Sequence, residues 1–227
     1  MTPRLLRIGA SATPVVVIDD FTGDAEAVAR LAEGLAPFPA ATSSYYPGVR
    51  RVLEESDGAA FDYALRCCRD AAQFIAGAFG VDRFNLAQAS FSMVSTQPAQ
   101  LNPWQRAPHF DSPDPLHLAM LHYLRVPVES GTAFYRQRET GIERVDQGNE
   151  ATFVRAATAA AARQSADAGY IYGSDPDYEL LESVDAVPDR LLIYQGGLLH
   201  SGVIPAGMPL SADPKVGRLT ANFFLQG

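Results

Sequence analysis

The segment APHFDS sets a histidine and an aspartate two positions apart, at His109 and Asp111, in a chain that has only four histidines to use. Successive side chains alternate along an extended backbone, so these two project from one face. Pro108 has no backbone donor and biases Ala107 toward the extended region, which keeps the segment open at a sheet edge or a loop mouth. One imidazole and one carboxylate from a short strand, joined by a second imidazole from elsewhere, make the set that grips one side of an iron(II) ion and leaves the other side open. His200, in the stretch YQGGLLHSG, is the candidate third ligand. The same set with a bound water would also serve a zinc hydrolase.

A second feature lies near the C-terminus. In KVGRLTANFFLQ, Arg218, Thr220 and Asn222 share one face of a strand while Leu219, Ala221 and Phe223 share the other. A guanidinium turned into an apolar sheet is costly unless it meets a carboxylate. A carboxylate cosubstrate would satisfy it, with Thr220 adding a hydroxyl. His117 and His122 fall on opposite faces of HLAMLHYLRV and so cannot act together; His122 reads as structural, whereas His117 shares a face with Tyr123 and could line a pocket. Trp104 and Arg106 stand in the loop that leads to the His-x-Asp pair and are candidate substrate contacts. Tyr170, Tyr172 and Tyr178 are a candidate lid.

Taken together, these stretches resemble the 2-oxoglutarate- and iron(II)-dependent dioxygenases, in particular the prolyl-4-hydroxylase-like branch. VVVIDDF followed by a helix resembles the family's opening, PHFD its H-x-D motif, LHYLRVPVESGTAFY its Y-L strand and following glycine turn, and GGLLHSGVIP with GRLTANFFL its distal histidine and R-x-S/T strand. The resemblance spans roughly residues 14 to 226. It implies His109, Asp111 and His200 as iron ligands, Arg218 on the far carboxylate of 2-oxoglutarate, Thr220 beside it, and Tyr123 as a further hydrogen-bond donor to that cosubstrate. Gln97 stands where the family often has a cosubstrate-touching tyrosine, and Gly131-Thr132 stands where many relatives have Gly-Gly. The implied activity is hydroxylation of a small molecule, amino acid or peptide side chain with O2, releasing succinate and CO2. A jelly-roll binding module with structural histidines is the non-enzymatic alternative.

The elements that must position these residues are legible as a change of texture. Residues 15 to 19 read as a strand, followed by an amphipathic helix to about Leu35 capped by Asp20 or Thr22, and residues 58 to 79 read as a second helix ending at Gly80. From about Phe84 six strand-like runs follow: FNLAQASFSMVS, HLAMLHYLRV, GTAFYRQ, RLLIYQ, LLHSGVI and GRLTANFFL. No strand-helix alternation occurs there, which disfavours a doubly wound parallel sheet. The expectation is a mainly β protein with flanking helices (α+β), its strands closing as a two-sheet jelly roll or barrel with the N-terminal helices on one sheet; the resemblance specifies a cupin-like double-stranded β-helix. Long loops are expected at about 97–115 and 163–185, and the Ala-rich run Ala156 to Ala162 reads as a lid helix. The Pro- and Gly-rich stretch PAGMPLSADPKV reads as a loop inserted before the arginine strand.

The 227 residues suit one domain, residues 1 to 227, with 47% apolar and 19% charged content. A net charge of −8 argues against a nucleic-acid partner, since such binding draws on clustered cations, and only Arg50 and Arg51 are adjacent. The two cysteines are neighbours, Cys67 and Cys68, so a disulfide framework is not expected, and no run is long enough for a signal or membrane segment. The expectation is a cytoplasmic enzyme without a membrane partner; the composition leaves its oligomeric state open.

Overall fold

The computed structural model describes residues 1–41, 45–127, 129–165 and 168–227. The chain opens with strands β1 (Thr2–Ile8) and β2 (Thr13–Asp19), helix α1 (Ala25–Gly34), strand β3 (Gly48–Val52) and helix α2 (Ala59–Phe79). Strands β4 (Asn85–Val94), β5 (His117–Arg125) and β6 (Gly131–Gln137), helix α3 (Glu150–Arg163), and strands β7 (Tyr178–Asp185), β8 (Leu191–Gln195), β9 (His200–Val203) and β10 (Leu219–Gln226) complete it. They form a seven-stranded sheet in the order β1-β2-β8-β5-β10-β4-β3 and a three-stranded sheet in the order β7-β6-β9. Every described strand pairing is antiparallel.

The large sheet is buried on both faces, which explains why its central strands read as nearly continuous apolar runs. On the outer face Phe91, Met120, Ile193, Ala221 and Phe223 pack under Val28 and Ala32 of α1 and Tyr63, Ala64 and Ile75 of α2. Each fully buried phenylalanine there contributes roughly 2 kcal/mol. On the inner face Val15, Val17, Ala119, Leu121, Leu192 and Tyr194 meet Phe134 of β6 and Val184 of β7 from the small sheet. The two N-terminal helices therefore cover one face of one sheet, as the sequence suggests.

Three strands lie outside the sequence expectation, β1, β3 and β7, and each is an edge strand. Edge strands lack one pairing neighbour and carry polar or charged residues, so TPRLLRI, GVRRV and YELLESVD have no apolar signature. The expected loop 163–185 accordingly ends in β7, and its residues 166 and 167 lie outside the described residues. The loop 97–115 holds two short 3₁₀ turns, Pro98–Gln100 and Pro103–Gln105. The Ala-rich helix is longer than expected and is not a lid: Phe153, Ala156 and Ala157 of α3 pack against Ala107, Ala133, Tyr135 and Leu199.

Helix α1 is capped by Asp24, whose carboxylate accepts from Ala27 N at 2.8 Å, and not by Asp20 or Thr22. Thr22 is committed elsewhere. Its hydroxyl (2.6 Å) and amide (3.0 Å), together with the amide of Gly23 (2.6 Å), donate to the carboxylate of Asp189. His122 bridges the same carboxylate through Nε2 at 2.9 Å and the Tyr63 hydroxyl through Nδ1 at 2.6 Å. His122 is thus a core residue pinning α2 and the β2–α1 turn to the large sheet, its polar atoms matched inside the apolar layer.

Burial alone would raise the carboxyl of Asp189, but the bonds from His122, Thr22 and Gly23 outweigh it and hold its pKa at about 2, below the ordinary 3.8. The charged form is therefore the folded form's preference, and its stabilisation is present above about pH 4 and fades as the pH falls toward 2. Asp189→Asn should lower stability at neutral pH by about 2 kcal/mol, since charge-assisted bonds are lost and buried donors are left weakly matched. Denaturant titrations of wild type and variant should show a full gap above about pH 4 that narrows on acidification; a gap independent of pH would contradict this account.

Candidate functional site

The His-x-Asp segment is anchored to β9 by backbone alone. His109 N donates to His200 O and His200 N donates to His109 O, each at 2.9 Å, an isolated antiparallel bridge that sets the two imidazoles side by side. Their ring centroids are 4.4 Å apart. Asp111 N donates to Gly196 O at 2.7 Å, and Gly196 N to His117 O at 2.8 Å, which ties the carboxylate to the double glycine. Close approach requires the second glycine, since a Cβ on Gly197 would lie 2.3 Å from the backbone oxygen of Val145, whereas a Cβ on Gly196 would lie 2.5 Å from His117 Cδ2 and would push that ring aside. The double glycine before His200 thus lets the strand pass beneath the motif.

One nitrogen from each of His109 and His200 and one oxygen of Asp111 all lie within 4.8 Å of one another. His200 Nδ1 donates to Leu198 O at 2.8 Å, which turns Nε2 toward Asp111, 3.6 Å from its Oδ2. Burial holds His109 well below its ordinary range, aided by His200 and by the cation Arg50, so it is neutral at physiological pH. Asp111 Oδ2 is buried and has no hydrogen-bond partner among the described residues. Two imidazoles and a buried carboxylate oxygen at this separation fit a divalent ion with nitrogen and oxygen ligands.

The three ligands open into a cleft lined by Tyr46, Arg50, Tyr170, Tyr194, Arg218 and Thr220 among others. Its far wall is the inner face of β10, β4 and β3. Arg218 is 4% exposed, its Nη2 donates to Gly131 O at 3.0 Å, and its Nε is buried without a partner. Thr220 lies on the same wall, its hydroxyl 3.4 Å from Ser92 O. Asn222 continues that face, and Leu219, Ala221 and Phe223 turn to the helices, so the alternation in β10 holds. A buried guanidinium with no carboxylate partner costs several kcal/mol, and the wall is therefore suited to an anion that enters from the cleft.

Other candidates sit differently. Tyr123 is fully buried beneath Arg218, whose guanidinium is 5.5 Å above its ring, and its hydroxyl is 2.7 Å from Thr132 Oγ1. It does not line the cleft; the threonine of the Gly-Thr turn has taken the hydroxyl instead. Gln97 borders a neighbouring apolar cavity with Pro98, Tyr172 and Met208, not the ligand cleft. Trp104 packs against Tyr45 and the α3 cluster, and Arg106 Nη1 donates to Ser165 O at 2.7 Å; both brace the loop and neither lines the cleft. His117 lines the outer mouth with Phe110 and Phe224. Of the lid tyrosines, Tyr170 lines the cleft and donates to Thr96 O at 2.7 Å, Tyr178 is buried in β7, and Tyr172 is exposed.

Three cleft residues escape a reading of the sequence: Tyr46, Arg50 and Tyr194. Tyr194 lies edge-on to His200 with centroids 4.8 Å apart, and its position in the RLLIYQ strand gave the only available hint. Arg50 Nε donates to Ser92 Oγ at 3.1 Å, and its guanidinium is 4.5 Å above the Tyr46 ring. The Tyr46 hydroxyl is buried close to Ser92, with no hydrogen bond of ordinary length among the described residues, and burial pushes its pKa up despite Arg218, Arg50 and Ser92 nearby.

Residues 1–225 match the model of a family of unknown function, DUF6445. No curated protein matches the chain in sequence. Solved structures share its fold at low identity. One is SnoN, a non-heme alpha ketoglutarate dependent epimerase from nogalamycin biosynthesis, with 13% identity, TM-score 0.56, and 97% of this chain and 78% of that chain covered. HygX from Streptomyces hygroscopicus with nickel and 2-oxoglutarate bound gives 14%, 0.51, 94% and 83%. A prolyl-4-hydroxylase from Pseudomonas putida gives 13%, 0.50, 93% and 91%.

Manganese(II) should raise the melting temperature of the wild type, with about 2.7 kcal/mol of added stability at a concentration a hundredfold above Kd. Asp111→Ala and His200→Ala should abolish the rise and Arg218→Gln should keep it. An undiminished rise in Asp111→Ala would remove the triad as the metal site.

Proposed function

The chain belongs to the DUF6445 family, and we propose that it is an iron(II)- and 2-oxoglutarate-dependent oxygenase, built on a double-stranded β-helix, that hydroxylates a small molecule or peptide side chain. The observation that carries this reading is Arg218: a buried guanidinium with an orphaned Nε, facing the same cleft as the His109, Asp111 and His200 ligand set. A zinc hydrolase accounts for the ligands but gives that arginine nothing to bind. A non-catalytic module leaves the orphaned oxygen of Asp111 unexplained as well.

Iron(II) and 2-oxoglutarate, when bound, supply oxidising power from O2 with release of succinate and CO2. The chain's own residues position and exclude. His109, Asp111 and His200 hold the metal from one side and leave the cleft side open to exchangeable ligands. Arg218 neutralises the distal carboxylate of the cosubstrate and Thr220 adds a hydroxyl, a charge-assisted pairing that relieves the guanidinium of its buried isolation. Tyr123, packed under that guanidinium, holds it in place. The leucine, alanine and phenylalanine side chains around the cleft keep bulk water out. Free, buried Cys67 and Cys68 suit a reducing compartment such as the cytoplasm, and no described helix is long and apolar enough to cross a membrane.

Succinate formation from 2-oxoglutarate under added iron(II) tests the proposal. Wild type should turn over cosubstrate slowly without its true substrate, His109→Ala should fall to background, and Arg218→Gln should keep metal binding while its KM for 2-oxoglutarate rises by about tenfold or more, the loss of one charge-assisted contact. Wild-type turnover equal to that of His109→Ala, with metal loading verified, would rule the reading out.

A further inference from the structure

Arg50 is a second cation on the cleft wall, and no carboxylate among the described residues neutralises it. Among the described residues its side chain meets only the Ser92 hydroxyl, through Nε, and the face of Tyr46; no carboxylate pairs with it, and its terminal nitrogens have no protein partner. Such an arrangement is not an economical way to hold a strand edge. Several other arginines in this acidic chain do have carboxylates: Arg51 meets Asp57, Arg136 meets Glu143 and Glu179, and Arg190 meets Asp19.

Its position is set by register. Tyr123 on β5, Thr220 on β10, Ser92 on β4 and Arg50 on β3 form one rung across the large sheet, each opposite the next. Side chains on one rung share a face, so Arg50 stands on the same wall as Thr220, two strand spacings away, about 10 Å between backbones. The space in front of that wall has two compartments that share Tyr45, Tyr46, Arg50, His109, Asp111 and Phe224. Arg218 and Thr220 border only the inner one, and His117 and Phe110 only the outer. Arg50 belongs to both, as do two of the ligands.

Charge decides what this arrangement admits. Among the described residues Asp111 is the only carboxylate lining either compartment. With a divalent ion on the triad and a dianionic cosubstrate held by Arg218, the centre retains one net positive charge, which is that of Arg50. The terminal nitrogens of the half-buried Arg50 guanidinium and the buried hydroxyl of Tyr46 beside it are matched donors for a single oxyanion. We propose that Arg50 and Tyr46 anchor an oxyanion of the substrate, a carboxylate or a phosphate monoester, in the outer compartment next to the metal ligands. This assignment rests on the oxygenase reading above, since it needs Arg218 to be the cosubstrate's partner. It makes Arg50 the determinant of substrate class and restricts the substrates to anions.

Matched probes test it on the protein loaded with redox-silent manganese(II) and saturating 2-oxoglutarate. Phenylacetate against phenylacetamide reads a carboxylate preference, and phenyl phosphate against phenol reads a phosphate preference, each by calorimetric titration. One anion should bind about tenfold or more tighter than its neutral partner, the gain from a charge-assisted contact. Arg50→Gln should reduce that preference to less than threefold, Tyr46→Phe should weaken it by a smaller factor, and Arg50→Lys, which keeps the charge but not the planar fork, should fall between wild type and Arg50→Gln. The melting-temperature rise given by 2-oxoglutarate with manganese(II) should persist in all three. No anion preference in the wild type, or one untouched by Arg50→Gln and Arg50→Lys, overturns the assignment while leaving the oxygenase reading intact. Loss of the 2-oxoglutarate response in both Arg50 variants also overturns it, since Arg50 would then serve the cosubstrate. Absence of that response in the wild type is a different failure, that of the oxygenase reading itself.

Discussion

Two backbone hydrogen bonds hold this centre together. The reciprocal pair between His109 and His200 joins segments separated by ninety-one positions of chain, and it does so without using either imidazole. The rings are left for chemistry. Because the bridge is antiparallel and isolated, it fixes the spacing of the two histidines but demands nothing of the side chains around it, and the burden of close approach falls on Gly196 and Gly197. At Gly197 the neighbouring backbone occupies the volume a Cβ would need, and at Gly196 the His117 ring does. The aspartate then follows without further device, since Asp111 is two residues from His109 on the same face and its amide is tied to Gly196.

The rest of the molecule is organised around keeping one sheet two-faced. Outward positions of β10 feed a dry layer under α1 and α2, and inward positions carry Arg218, Thr220 and Asn222. A period of two is the only rule needed, but it must hold in three adjacent strands at once, because the polar wall runs from β10 through Ser92 of β4 to Arg50 of β3. A slip of one residue in any of them would exchange a residue of the polar wall for one of the opposite face. The buried network of Tyr63, His122 and Asp189 guards the opposite face against such movement by locking helix, strand and turn to one another through directional bonds.

What could be read from the sequence divides along a physical line. Central strands announce themselves, since burial on both faces selects apolar β-branched and aromatic residues, and the ligand motif and Arg218 fall in or beside such strands. Three of the four edge strands, β1, β3 and β7, are silent, and with them goes Arg50, which in sequence is only half of an arginine pair in a turn-rich region. Tyr46 is hidden for the same reason, and Tyr194 because a tyrosine in an apolar strand has many uses. The expectations for Tyr123, Trp104 and Arg106 rested on proximity along the chain or on analogy of position; packing decided otherwise, giving the Tyr123 hydroxyl to Thr132 and the Arg106 guanidinium to a loop carbonyl. The Ala-rich helix shows the same limit, because composition gives helicity and not the surface a helix will choose.

The long connection between β9 and β10 does more than span a gap. Ile204 forms part of the cleft lining, and Ile204 and Met208 cluster with Val94, Tyr46 and Tyr170 at its rim. The stretch that separates the third ligand from the arginine strand is consequently also a doorframe. Drift in its length or composition would reshape the entrance while the sheet behind it stays in register, so members of the family can differ in what they admit without rebuilding the machinery that acts on it.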